Sequence, residues 1–304
     1  MRNKNTITGI SLAVLATFIW AGNFIIARGV HDKIPPVSLA FYRWLLATLI
    51  MLPITWNRFK VEWVAVKRST WYLLAVGITG VSMFNTFVYV GGHYTSAINL
   101  SLIGTTSSPI ISVALAAIFL REKIGWMKLV GMIICISGVL YLLSEGNPEK
   151  LSSFQFTKGD TWVLLAALVF SIYNTLVKRK PAAISPINFL FVVFAAGTIL
   201  LFPFYVWEIM HSAPVAWTIN LVLIILYLGI GASVICFMIW NMAIHKLGAG
   251  TTALFGNLIP VFATLEAVLI LNEQITWIHV ISFSLVIIGL LIANYTTIFN
   301  KDRL

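Results

Sequence analysis

The chain has 304 residues, of which 60% are hydrophobic and 10% are charged, and its mean hydropathy is +0.95. Soluble domains carry about 25% charged residues, so this composition excludes an ordinary soluble protein and indicates a membrane protein. The formal charge is +10, from 20 Lys and Arg against 10 Asp and Glu. These basic residues cluster between apolar runs, which is typical of membrane topology and does not favour nucleic-acid binding.

Ten apolar runs are each long enough for a helix that crosses a bilayer, which needs roughly 20 residues. In chain order they are 7–28, 36–56, 70–91, 97–120, 126–144, 160–178, 186–208, 217–241, 250–272 and 277–298. The opening MRNKN followed by an apolar run also fits a secretory signal peptide. We interpret 7–28 as the first membrane helix, because it is long enough to span and a related segment recurs later.

The basic residues predict the sides of the membrane. The clusters at 58–68 and 178–180 fall in loops that are cytoplasmic if the amino terminus is cytoplasmic, whereas the alternate loops contain few basic residues. The positive-inside rule therefore predicts that both termini are cytoplasmic, because an even number of spans returns the chain to the side where it began.

The chain also aligns with itself. A shift of 150 residues places 34–53 on 184–203, and a shift of 151 places 109–126 on 260–277. The sequence therefore predicts an all-α membrane protein with ten transmembrane helices in two five-helix repeats, 1–144 and 161–304, joined by the linker 145–160. Because five is odd, the repeats would have inverted orientations, as in many secondary transporters.

Arg43 lies within AFYRWLLATLIMLP, the apolar interior of the second predicted helix. A guanidinium at membrane depth costs about 2.5–3.5 kcal/mol on insertion scales, so it should face a partner or a watery cavity. Two interpretations stay open. Arg43 either binds backbone carbonyls as a structural residue or recognises an anion such as a substrate carboxylate. Its counterpart in the second repeat is Val193, so the repeat itself does not require an arginine there.

Three glutamates lie in or at the ends of predicted helices. Glu266 is well inside its span, at a depth that matches Arg43, and is either an ion-pair partner of Arg43 or a proton carrier for ion coupling. Glu122 and Glu273 occupy equivalent positions in the two repeats. That symmetry favours a structural role, in which each accepts hydrogen bonds from the backbone of the next helix.

Polar and aromatic side chains accompany Arg43 in the predicted outer half of the membrane. The candidate substrate-binding residues are Arg43, Trp20, Asn23, Asn85, Tyr89, Asn99 and Thr105. Together they predict a polar pocket with aromatic walls that opens outward. The alternative is that these groups make hydrogen bonds between helices or lie in the interfacial belt.

Glycine and proline predict how the helices pack. Close helix approach is expected at Gly77, Gly80, Gly131, Gly138, Gly229 and Gly231. Pro109 and Pro260 stand at equivalent mid-helix positions, and each is expected to bend its helix.

The repeated pattern Pro-x₁₀-Leu-x-Glu-x-Ile, which ends in LREKI and LNEQI, resembles the EamA type of the drug/metabolite transporter superfamily. The segments FIWAGNFIIAR and PVSLAFYRWLLA are also similar to that family. The resemblance covers nearly the whole chain. It implies ten helices in two inverted repeats, a place in the cytoplasmic (inner) membrane, and export of amino acids, other small metabolites or toxic organic compounds.

The sequence therefore predicts a secondary transporter that exports amino acids or related small metabolites by alternating access. A multidrug or organic-cation exporter stays open, as do a passive channel and an intramembrane enzyme. No phosphate-binding loop, HExxH or GxSxG motif is present and the histidines are scattered, so we predict no enzyme activity, no cofactor and no metal site. The expected partners are a small-molecule substrate and the lipid bilayer.

Overall fold

The computed structural model describes residues 2–95, 97–122, 124–147, 149–150, 156–271 and 276–295, and within these ranges the chain forms helices and no β-strands. The helices of the first half are α1 Arg2–Gly29, α2 Pro36–Arg68, α3 Thr70–Gly77, α4 Phe84–Tyr94, α5 Ala97–Leu120 and α6 Trp126–Leu143. Those of the second half are α7 Lys158–Lys178, α8 Pro186–His211, α9 Ile219–Leu226, α10 Cys236–Leu247, α11 Ala249–Leu254, α12 Ile259–Leu271 and α13 Trp277–Ala293.

Three irregular segments connect these helices without a loop. A π-helical segment, Ile78–Met83, joins α3 to α4, and a second one, Tyr227–Ile235, joins α9 to α10. A 3₁₀ segment, Phe255–Leu258, joins α11 to α12. It ends just before Pro260, whereas α5 continues as an α-helix through Pro109. The two prolines, although equivalent in sequence, therefore have different local structures.

The described helices make this a multi-pass membrane protein. Seven helical segments of the described residues, two of which join consecutive helices through a π-helical segment, are long and apolar enough to cross a bilayer. Three shorter apolar segments lie at Ser107–Leu120, Ala249–Ala263 and Trp277–Ala293. Each segment overlaps an apolar run of the sequence, although most boundaries differ by several residues.

The largest difference from the predicted bounds is in α2, which continues to Arg68 beyond the predicted end at 56. In this extension the ammonium groups of Lys60 and Lys67 stand 4.9 and 5.1 Å from the ring centres of Trp56 and Trp63. Tryptophan and basic side chains are favoured at the membrane interface. The helix therefore continues past the apolar run, and the end of hydrophobicity was a poor guide to the end of the helix.

The helices α2 and α8 pack antiparallel along their length. At mid-length the hydroxyls of Thr48 and Thr198 lie 3.2 Å apart. At one end Glu208 of α8 accepts hydrogen bonds from Ser38 of α2, and at the other Glu62 of α2 accepts one from Asn188 of α8. Each helix thus has, toward its carboxyl end, a glutamate whose carboxylate accepts hydrogen bonds from the first turn of the other helix.

The helices α6 and α13 form a second antiparallel pair, in close contact at glycines. A Cβ atom added at Gly131 would lie 2.3 Å from the backbone N of Ala293, and one at Gly289 would lie 2.6 Å from the backbone N of Cys135. The expected close approach is confirmed here and also at Gly77, Gly80, Gly138 and Gly229, where an added Cβ would lie within 3.1 Å of a neighbouring helix. Only Gly231 has more room, with its nearest neighbour at 3.7 Å.

Candidate functional site

A narrow cleft lies between five helices, α1, α4, α5, α7 and α10, and the segment around Gly256. Its walls include four aromatic side chains, Trp20, Phe84, Phe170 and Trp240, and the amides Asn23 and Asn85. None of the described residues that line it is charged. It contains about 680 Å³ of empty space, but only about 50 Å³ is wide enough for the centre of a water molecule. The cleft is therefore a narrow, slot-like site with apolar faces and a few neutral polar groups.

The aromatic walls hold one another in place. The ring of Trp20 lies 5.7 Å from that of Phe170 in an edge-to-face arrangement and 5.0 Å from that of Trp240. Phe84 stacks on Phe170 at 4.3 Å. Such ring pairs contribute about 0.5–1.5 kcal/mol beyond the area that they bury. The cleft therefore presents rigid aromatic surfaces.

Behind this cleft lies the buried guanidinium of Arg43, which is 1% exposed. All of its hydrogen-bond acceptors are uncharged. They are Ser233 Oγ at 2.6 Å, Asn23 Oδ1, Asn85 Oδ1 and the Ala232 carbonyl at 2.8 Å, and Tyr89 Oη at 2.9 Å. The arginine thus ties α1, α2, α4 and the second π-helical segment together through neutral groups.

The π-helical segment Tyr227–Ile235 explains how backbone reaches this arginine. Ser233 Oγ donates to the carbonyl of Leu228, five residues earlier, which matches the wider π turn. The carbonyl of Ala232 accepts from Trp20 Nε1 at 2.8 Å as well as from Arg43. Neither acceptor was predicted from the sequence, although close helix approach was expected at the nearby Gly229 and Gly231.

Arg43 also fixes the orientation of the Asn85 amide. A guanidinium can only donate, so Asn85 must turn its oxygen toward Arg43 and its nitrogen away. Asn85 is 0% exposed, and its Nδ2 has no hydrogen-bond partner among the described residues. An unsatisfied buried donor costs roughly 1–3 kcal/mol. Asn85 lines the cleft, so the unsatisfied donor belongs to a residue of the cleft wall.

The candidate residues fall into three groups. Trp20, Asn23 and Asn85 line the cleft, whereas Arg43 and Tyr89 lie behind it, with Tyr89 Oη donating to Asn23 Oδ1 at 3.1 Å. The side chains of Asn99 and Thr105 lie outside the described residues.

A direct ion pair between Arg43 and Glu266, which was one of the two interpretations of Glu266, is not present among the described residues. Among the described residues no acidic group lies within ion-pair distance of Arg43. The physical reason is that neutral acceptors already surround its guanidinium. Glu266 is partly buried on α12 and remains a candidate for the separate role of proton carrier.

Glu122 accepts hydrogen bonds from the backbone of another helix, as expected, but that helix is α11 and not the next helix in the chain, α6. Its carboxylate accepts from the backbone N–H groups of Ala249 at 2.9 Å and Gly250 at 3.3 Å, at the start of α11. The next helix, α6, contributes Lys128, whose ammonium donates to Thr251 at 3.0 Å. Glu273 lies outside the described residues.

Other cationic side chains join helices at the same end. Arg179 donates to the carbonyl of Phe119, and Lys178 donates to the carbonyl of His245 at 3.1 Å. With the contacts of Glu122, these bonds connect the ends of α5, α7 and α10 to the start of α11. This end of the molecule is therefore closed by side-chain-to-backbone hydrogen bonds.

Comparison with known proteins assigns the chain to a family of transporters. Residues 7–144 and 157–295 match the model of the EamA-like transporter family. An uncharacterized transporter of Archaeoglobus fulgidus is 30% identical over 265 residues, which cover 86% of this chain and 89% of the relative.

Two further relatives have more specific names. A probable terminal-alkyne amino-acid exporter of Streptantibioticus cattleyicolor is 28% identical and covers 94% of this chain and 93% of the relative. A probable amino-acid metabolite efflux pump of Escherichia coli is 23% identical, with coverage of 92% and 93%. A solved crystal structure matches 98% of both chains with a TM-score of 0.77 at 18% identity, which establishes a shared fold.

Proposed function

The chain belongs to the EamA-like transporter family, and we propose that it is a secondary active transporter that exports amino acids or related small metabolites by alternating access. A transporter is the function that the family and the names of its relatives indicate, and an enzyme is not. The observation that supports a substrate site is the cleft lined by both Trp20 and Asn85. The amide nitrogen of Asn85 is buried and has no hydrogen-bond partner among the described residues.

A zwitterionic substrate suits this cleft. The Nδ2 of Asn85 offers a hydrogen bond to a carboxylate. Arg43, which donates to the Oδ1 of the same amide, supplies positive charge although it is itself buried. The faces of Trp20 and Phe170 would pack against an apolar side chain. In this role Arg43 is a positioning residue, because it acts through Asn23 and Asn85 and does not line the cleft.

An organic cation is the second candidate substrate, because aromatic faces such as Trp20 and Trp240 attract cations. Against it stands the lack of any carboxylate among the described residues that line the cleft. The amino-acid proposal therefore accounts for more of the polar groups.

The proposed architecture is ten helices in two inverted repeats, 1–144 and 161–304, around this cleft. Residues related by the 150-residue shift touch one another at two places, Trp20 with Phe170 and Thr48 with Thr198. Such self-equivalent contacts are expected on the axis that relates inverted repeats, and transporters of this type bind substrate at the repeat interface.

Helix directions support ten alternating spans. The helices α5 and α7 run parallel. Near their middles Ser171 donates to the carbonyl of Ser108, and further along both helices Arg179 donates to the carbonyl of Phe119. The fourth and sixth of ten alternating spans must run parallel. In this arrangement both termini are cytoplasmic, the membrane is the cytoplasmic (inner) membrane, and the end closed by Glu122 faces the cytoplasm.

In alternating access, the end of the molecule held by Glu122 and the opposite end would open one after the other. The cleft admits the centre of a water molecule in only about 50 Å³. A substrate can therefore enter only if helices move apart. Glu266 is the proposed coupling group, because it is the acidic residue well inside a predicted span and has no repeat counterpart, the equivalent residue being Leu115.

Transport by purified protein in proteoliposomes tests the proposal. A panel of radiolabelled amino acids, nucleosides and organic cations should identify amino acids as substrates, with counterflow that a passive channel does not produce. Asn85→Leu should abolish this transport, whereas Asn57→Leu, at an exposed position on the α2 extension, should leave it unchanged. Transport that Asn85→Leu leaves intact, or flux without counterflow, would overturn the proposal.

A further inference from the structure

A second, larger crevice lies between the extension of α2, the last turns of α10 and the start of α8. It contains about 1170 Å³ of empty space, of which about 540 Å³ admits the centre of a water molecule. Its rim has four basic residues, Arg58, Lys180, His245 and Lys246. The crevice is thus both more open and more positive than the cleft.

The inner wall of this crevice is apolar. It is formed by Ile187, Phe189, Leu190, Met238 and Met242, and Met242 is 40% exposed. A basic rim above an apolar wall matches a molecule that has an anionic head and a hydrocarbon tail. A small soluble anion would use the rim and leave the apolar wall unused.

The cationic groups at the rim are only partly neutralised. Arg58 is exposed and makes no hydrogen bond or ion pair with another described residue. The ammonium of Lys180 is held by the carbonyls of Pro181 and Ile184. The nearby acidic group is Glu62, whose Oε2 already accepts from the backbone N–H of Ser185 at 2.9 Å and from Asn188.

Two buried polar atoms on the crevice walls have no hydrogen-bond partner in the part of the chain that the structure describes. Asn241 is 7% exposed, and its Nδ2 makes no hydrogen bond among the described residues, although its Oδ1 accepts from Tyr173 at 2.6 Å. The hydroxyl of Ser185 is also buried and unpaired. Both residues line the crevice, so they supply polar groups below the basic rim.

We propose that this crevice binds the headgroup of an anionic phospholipid, with the phosphate at Arg58, Lys180 and Lys246 and an acyl chain along Met238 and Met242. Basic pockets between membrane helices recognise lipid headgroups in this way, and each basic residue near an anionic surface contributes to the attraction. The bound lipid would bridge α2, α8 and α10. It would thereby stabilise helices from both halves of the chain.

Native mass spectrometry of the purified full-length protein tests the proposal, with dioleoylphosphatidylglycerol and dioleoylphosphatidylcholine as probes. We expect saturable binding of the anionic lipid and weak binding of the zwitterionic one. The triple variant R58Q/K180Q/K246Q should bind the anionic lipid on the order of 100-fold more weakly. The control K60Q/K67Q/R68Q removes the same charge from the α2 extension and should bind like the native protein.

The Tm is a second readout, which distinguishes loss of the lipid site from misfolding of the triple variant. The anionic lipid should raise the Tm of the native protein and of the control but not that of the single variant R58E, whose changed side chain is exposed. Equal lipid binding by native protein and triple variant would overturn the proposal, as would equal losses in the triple variant and the control. Displacement of the lipid by excess inorganic phosphate would also overturn it, because the site would then bind free anions.

Discussion

The carboxylate of Glu208 accepts hydrogen bonds from the backbone N–H of Ser38 at 2.6 Å and from the Ser38 hydroxyl at 2.8 Å. Glu62 makes the reciprocal contact with Ser185 and Asn188 at the other end of the same helix pair. Helix N-termini have unpaired N–H groups and a positive dipole end, so a carboxylate is a strong partner there. The pair α2–α8 is therefore fastened at both ends and is well suited to be a rigid element in transport.

Removal of these carboxylates should destabilise the protein. Glu208→Ala leaves buried donors of α2 unpaired and should cost about 2–3 kcal/mol, while Glu62→Ala, at a more exposed end, should cost about 1 kcal/mol. Because the sites lie at opposite ends of the pair, the double variant should lose the sum of the two. Thermal unfolding in detergent measures this. The exposed Glu149→Ala is the control, and a Tm for Glu208→Ala equal to that of the control would contradict the prediction.

Arg43→Lys should be far from conservative. Lysine keeps the charge but has three donors on one nitrogen, so it cannot replace the planar guanidinium that donates to five acceptors. The loss of two or more charge-assisted hydrogen bonds should cost about 3 kcal/mol or more. We expect a lower Tm and loss of transport, since Asn85 is no longer held in place. Arg58→Lys, at an exposed position, is the matched control, and native-like behaviour of both variants would show that the buried network is dispensable.

Two glycines give a sharp test of helix packing. Gly131→Ala adds a Cβ that would lie 2.3 Å from the Ala293 nitrogen and 2.4 Å from the Gly289 carbonyl, so α6 and α13 must separate. At Gly125 the same change meets nothing within 4 Å. Gly131→Ala should therefore lower the Tm by several degrees, which corresponds to about 1–3 kcal/mol, and Gly125→Ala should not. Equal Tm values for the two variants would mean that α6 and α13 are not packed this closely.

Loss of the Glu122 carboxylate should loosen the closed end of the molecule. In Glu122→Ala the N–H groups of Ala249 and Gly250 lose their acceptor, so the start of α11 should separate from α5 more often. Thr251 is 3% exposed. A cysteine placed there, with Cys135 and Cys236 replaced by alanine, should react faster with a water-soluble maleimide in the Glu122→Ala protein. Glu149→Ala is the control, and an unchanged labelling rate would argue against a gating role for Glu122.

Hydropathy and periodicity predict most of the helices, because a bilayer requires long apolar segments whose backbone bonds are internal. They predict helix ends less well. The extension of α2 past residue 56 is stabilised by Lys60 and Lys67 stacked on tryptophans, and a hydropathy window reads these residues as the end of a span. The π-helical segments carry no sequence signal of comparable strength.

The site was only partly predictable for a related reason. Polarity at membrane depth singled out Trp20, Asn23 and Asn85, which line the cleft, but their role in substrate binding stays a prediction. Sequence does not reveal which partner each group takes. Charge and depth made Glu266 one possible partner for Arg43, but neutral oxygens satisfy the arginine without the cost of burying a second charge.

The carbonyl of Ala232 has a consequence for experiments on this chain. It is the shared acceptor of Trp20 and Arg43, yet it belongs to the backbone of a residue that is already alanine. A scan that replaces each side chain by alanine would leave this oxygen untouched, and of the second half it would detect only the Ser233 hydroxyl. The other contribution of the second half comes from main-chain geometry, which only a change of backbone chemistry at this peptide bond would reveal.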